Sequence, residues 1–225
     1  MFFIVPWKLE QANGRKNVPL ANATLIAVNV LLWLLGRCWV VGPGTGPLSV
    51  VLYGFSHFGI WHLALNMWAL WIFGNPVNRR LGNGFYLLMY LGTIVLLGLF
   101  ARLVLSTCMA GSSGALFAVI ASALILMPSA VVRVACVALF PLTIVVGLLS
   151  RPRDVLHWIV RGRVVSMPAL WFLLMIPLMQ LWSFFWHGWS WAPVAHLLGM
   201  ICGVVFVAML PSQITLGRRS AVERF

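Results

Sequence analysis

Apolar residues in this chain gather in long, nearly unbroken runs, and most of the charge sits in short tracts between them. Such runs approach the roughly 20 residues a helix needs to cross the hydrocarbon of a bilayer. They predict spans over about 22–40, 57–75, 84–105, 112–127, 168–186 and 193–210. Breakers separate them: Gly42-Pro43-Gly44-Thr45-Gly46-Pro47 after the first, Arg79-Arg80 after the second, and Ser106–Ala110 after the third.

A seventh run, Val131 to Leu149, is long enough to be counted as a span, but it holds Arg133 and Pro141 and leads into Arg151, Arg153, Arg161 and Arg163. Parity decides its reading. Were it a crossing, the final span would run outward and leave Arg218-Arg219 outside, against the positive-inside tendency. The expectation is therefore an all-α membrane protein with six transmembrane helices. Residues 128–167 form a basic interfacial or re-entrant insertion on the cytoplasmic side. Lys8, Arg15 and Lys16 place the N-terminus in the cytoplasm as well. The organisation expected is a cytoplasmic segment over 1–21, a membrane domain over 22–210 and a basic cytoplasmic tail over 211–225.

Composition agrees with this reading. Of 225 residues, 62% are hydrophobic and only 8% charged, against about 25% charged in soluble domains. The net charge of +12 is dispersed between apolar runs, so it marks topology and lipid headgroup contact, not a nucleic-acid partner. Cys38, Cys108, Cys136 and Cys202 show no CxxC pairing and are expected to be buried small hydrophobes, with no metal site. The first 20 residues lack the apolar core of a signal peptide.

Three polar sets fall at one depth, in the outer half of the bilayer. The first is Gly111-Ser112-Ser113-Gly114 at the start of the fourth span; the second is His57, His62 and Asn66 at the start of the second; the third is His196 in the sixth. A hydroxyl at a helix start is either a cap for the free N–H groups of the first turn or a nucleophile beside them. Taken alone, the cap is the better reading, and a lone intramembrane histidine is most simply an interhelical hydrogen bond. Convergence of the three sets favours function, because polar groups at this depth are costly. His62 and Asn66, four apart, share a helix face. His57 is offset from His62 by about 140° at 3.6 residues per turn, which suits a structural or water-organising role. Gly199 and Gly203 form a small-xxx-small pair, allowing the last helix to approach a neighbour closely.

Together, Gly111-x-Ser113-Gly114, His57-x4-His62-x3-Asn66 and Ala195-His196-x2-Gly199-x3-Gly203 resemble the signatures of the rhomboid family of intramembrane serine proteases. The resemblance covers order, spacing and topology over about residues 22–210. It implies Ser113 as nucleophile, His196 as general base, and His62, Asn66 and the Ser113 amide as oxyanion donors, with His57 and Gly111 auxiliary. Phe117 stands where some members carry a tyrosine beside the catalytic histidine and others a phenylalanine. Implied substrates are single-span or polytopic membrane proteins, cut in the lipid bilayer without metal or cofactor. A bacterial inner membrane with both termini cytoplasmic is the expected location. The chain departs from the family in two places: the glycine-rich loop over about 41–56 lacks the Trp-Arg pair of some members, and the 128–167 insertion is long.

Carboxylates constrain the chemistry independently. Glu10, Asp154 and Glu223 are the only three, all outside the predicted spans. That leaves a Ser-His dyad in place of a triad. It also excludes an intramembrane aspartyl protease and a His-Glu-x-x-His zinc protease, and disfavours carboxylate-coupled transport. The competing reading is a catalytically silent relative that binds transmembrane helices; such relatives lack the serine or the histidine, and this chain keeps both.

Overall fold

A computed structural model describes residues 2–10, 18–139, 160–186 and 191–211. Strand β1 (Phe2–Glu10) precedes helix α1 (Leu20–Leu34). A loop then carries the short α2 (Ser49–Leu52) and a single 3₁₀ turn, Tyr53–Phe55. Helix α3 (Ile60–Ala69) passes through a π turn (Leu70–Gly74) into α4 (Asn75–Leu81), and α5 (Asn83–Val104) follows. After α6 (Ser113–Leu126) come strands β2 (Val131–Leu139) and β3 (Val160–Pro168). Helices α7 (Ala169–Trp186) and α8 (Trp191–Met209) complete the order. Among the described residues, α5 and α8 are long and apolar enough to cross a membrane, each with a mean hydropathy of 2.1. Helices α1 and α6 are apolar but shorter.

Helix α6 lies at the centre. It is apolar on every side, and every residue from Ala118 to Leu124 is buried, as expected for a helix surrounded by others. Its small residues let neighbours come close: α8 packs along it more extensively than any other helix pair. Between α8 and α5, Ser122 Oγ lies 3.1 Å from Met89 Sδ of α5 and 3.4 Å from the Gly203 carbonyl oxygen of α8. A second polar anchor lies at Asn22 of α1, which is fully buried. Its Nδ2 donates to the Leu70 carbonyl at 3.0 Å and to Asn75 Oδ1 at 2.9 Å, and its Oδ1 accepts from Tyr86 hydroxyl at 2.6 Å. A π turn disturbs the usual helical hydrogen-bond ladder, and Asn22 serves the carbonyl at which this one begins.

An entirely helical chain is not what folds. β1, β2 and β3 form one antiparallel sheet in the order β1-β2-β3, drawn from the N-terminal segment and from the insertion. Hydropathy averages cannot tell a strand from a helix, but alternation can. Val132 and Val134 are buried while Arg133 between them is exposed. The insertion thus begins and ends as strands; its centre, 140–159, lies outside the described residues, as do Arg218 and Arg219. Helix α1 also stops earlier than the predicted first span, with Arg37–Val40 running on as non-helical chain. The cysteine expectation needs correction at two positions: Cys38 and Cys108 are exposed, while Cys202 is partly buried. Both exposed cysteines lie in loops at helix ends, where apolar sequence neighbours do not guarantee burial.

Candidate active site

From the end of α5 the chain returns through residues 105–112 to begin α6, and this return is pinned on two sides. Val41 and Met109 exchange both backbone hydrogen bonds at 2.9 Å, and the Gly111 N–H donates to the Tyr53 carbonyl at 2.9 Å. Gly111 adopts φ of 117°, a left-handed conformation that side chains avoid. A Cβ there would also lie 2.9 Å from His62 Cε1. Glycine is therefore required twice over, by the turn and by the close pass over the imidazole.

The two serines diverge from this turn. Ser112 is fully buried, with Oγ 3.3 Å from His57 Nε2, and its side chain does not cap α6. Ser113, the first residue of α6, is half-buried and faces the last helix, with Oγ 2.9 Å from His196 Nε2. The glycines of α8 explain how two helices bring these atoms together. A Cβ on Gly199 would overlap the carbonyl oxygen of Gly114, and one on Gly203 would overlap that of Ala118. Only hydrogen at both positions permits this backbone approach. The imidazole is held further by Phe117, one turn below Ser113, whose ring stacks on it at 4.1 Å between centroids and 5° between planes.

An open cavity of about 750 Å³ lies over the pair. Ser113, His196, Phe117, His62 and Asn66 line it, with Phe58, Trp191 and the 106–110 loop around them. Asn66 is buried, and its Nδ2 has no hydrogen-bond partner among the described residues. Such a donor beside a cavity is suited to an oxygen that arrives with a ligand. The first-turn N–H groups of α6 lack intrahelical acceptors, and the positive end of the helix dipole adds to their pull on an anion.

His57 sits elsewhere. It precedes α3, in a loop, so the angular offset expected from a continuous helix does not apply. It contacts Ser112 and meets the His62 ring edge-on at 5.0 Å and 60°, behind the cavity lining. Glu10 lies on β1, while Asp154 and Glu223 fall outside the described residues.

Sequence reasoning missed the residue behind the base. Gln180 of α7 places Oε1 2.8 Å from His196 Nδ1, the ring nitrogen opposite Ser113. Its signal was present: an amide interrupting the apolar run Ala169–Trp186.

A Rhomboid domain is matched over residues 46–213, three-quarters of the chain, which include every residue just placed around the cavity. The chain belongs to the rhomboid family. Rhomboid proteins are integral membrane proteins, generally intramembrane serine proteases. The chain is 33% identical over 125 residues to Rhomboid protein 1, mitochondrial, of Saccharomyces cerevisiae, covering 47% of this chain and 36% of the yeast protein. It is 44% identical over 130 residues to Rhomboid protease GluP of Bacillus subtilis, covering 49% of this chain and 25% of that protein. With the human Presenilin-associated rhomboid-like protein, mitochondrial, identity is 28% over 102 residues, covering 40% of this chain and 26% of the relative. The chain thus spans between a quarter and about a third of the length of these rhomboid relatives. No solved structure matches it.

Proposed function

We propose that this chain is an intramembrane serine endopeptidase working through a Ser113–His196 dyad. The observation that carries the proposal is the 2.9 Å separation of Ser113 Oγ and His196 Nε2 at the floor of an open cavity. Ser113 Oγ attacks the peptide carbonyl while His196 Nε2 accepts its proton and returns it to the leaving amine. Water, activated by the same nitrogen, then releases the acyl group. The oxyanion meets the Ser113 amide, Asn66 Nδ2 and His62. His57 supports this wall from behind through Ser112 and His62. A helical substrate must unwind before its carbonyl is accessible, so transmembrane segments weakened by Gly or Pro are the substrates expected.

Six crossings, carried by α1, α3–α4, α5, α6, α7 and α8, set the dyad in the outer half of the membrane with both termini inside. On this reading the sheet belongs to the cytoplasmic side, since β2 leaves α6 at the end away from Ser113 and a 14-residue helix rises about 20 Å. A bacterial inner membrane fits this arrangement. The test is labelling of detergent-solubilised protein by a fluorophosphonate, alongside cleavage of single-span substrates. Both signals disappear in Ser113→Ala and in His196→Ala if the proposal holds. Labelling that survives in Ser113→Ala and is lost in Ser112→Ala moves the nucleophile and refutes it.

A further inference from the structure

Gln180 occupies a position whose chemistry is constrained at both ends. Its Oε1 lies 2.8 Å from His196 Nδ1, and His196 Nε2 lies 2.9 Å from Ser113 Oγ. A neutral imidazole has one N–H donor and one bare nitrogen acceptor. If the proton is on Nδ1, the ring donates to the amide oxygen of Gln180 and Nε2 accepts from the serine hydroxyl. With the proton on Nε2, the ring donates to serine instead and offers it no base. An amide oxygen facing Nδ1 favours the first tautomer, and Gln180 reaches the ring from a separate helix, α7.

We infer that Gln180 is a positioning residue: its side-chain oxygen holds His196 as the Nδ1–H tautomer, with Nε2 bare toward Ser113. It orients the base as a triad carboxylate would, but without a charge in an apolar environment. Phe117 fixes the plane of the ring, and Gln180 fixes its rotation and its proton. Gln180 itself touches no substrate. This inference rests on the dyad reading.

The test uses the full chain in detergent, with 15N-labelled histidine and His196→Ala to assign the signal. Near-neutral spectra of the wild type should show a protonated Nδ1 and a bare Nε2 at His196; a protonated Nε2 overturns the inference whatever the variants do. Gln180→Leu removes the acceptor, so the tautomers should mix and kcat should fall at least ~10-fold with KM nearly unchanged. This stays short of the ~10⁴-fold that a wrong tautomer costs in a charged triad. Gln180→Glu keeps an oxygen acceptor and removes the amide donor, so it should retain most of the activity and the wild-type tautomer. Wild-type kcat in Gln180→Leu overturns the inference. So does loss of activity in a Gln180→Glu protein that melts like the wild type, because the amide would then be acting through its nitrogen. If the wild type neither cleaves substrate nor takes fluorophosphonate on Ser113, the protease reading fails, and the nitrogen spectrum still decides the tautomer.

Discussion

Adding one methyl group at Gly199 tests whether helix approach builds the site. The Cβ of Gly199→Ala would fall on the carbonyl oxygen of Gly114, which belongs to the backbone of the central helix and cannot rotate aside. Restoring an ordinary contact requires α6 and α8 to part by on the order of 1 Å, and a misplacement of that size at reacting atoms costs about 100-fold in rate. The Ser113–His196 bond starts at 2.9 Å, so the same movement takes it past the useful range of about 3.2 Å. Overpacking of this kind costs about 1–3 kcal/mol in stability, which leaves a folded but weakened protein. The assay is kcat/KM on a transmembrane substrate, paired with a melting curve in the same detergent. A fall of about two orders of magnitude with a modest loss of melting temperature is expected. Activity within threefold of the wild type would refute the argument, because the helices would then have room to spare.

Asn66→Ala should separate activity from stability. The variant removes a buried donor that has no partner among the described residues, so the melting temperature should hold, while kcat falls about 100-fold or more through loss of an oxyanion contact. Asn22→Leu should do the reverse: it strands the Leu70 carbonyl, the Asn75 side chain and the Tyr86 hydroxyl together. A loss of about 2 kcal/mol is expected, given the modest net value of interhelical hydrogen bonds in membranes. Reversible denaturant titration in mixed micelles measures it, and an unchanged midpoint would show that the network contributes little.

Much of the helical framework could be read from the chain because a bilayer imposes a simple rule: long apolar runs become helices that satisfy their own backbone. The predicted third span, about 84–105, and the observed α5, Asn83–Val104, differ by a residue at each end. Strands β1, β2 and β3 were not read from the chain, since a hydropathy window averages over the Val132-Arg133-Val134 alternation, and the pairing of β1 with β2 joins segments more than 120 residues apart. The paired glycines 199 and 203 announced a close helix contact, but not which helix would receive it. The π turn at Leu70–Gly74 carried no sequence warning, and the donor to its first carbonyl, Asn22, lies 48 residues earlier on another helix.

Sequence alone determined the chemical inventory: a serine between glycines, a histidine above a small-residue stripe, and three carboxylates, Glu10, Asp154 and Glu223, all outside the predicted spans. Those are properties of composition and local spacing, which the chain carries whether folded or not. Tertiary structure alone decided which atoms meet, turning Ser113 toward His196 and Ser112 toward His57, and bringing Gln180 behind the base. The reason is geometric. Hydrogen bonds between helices depend on ångström-scale separations, and those are set by how side chains and bare glycine backbones pack against one another.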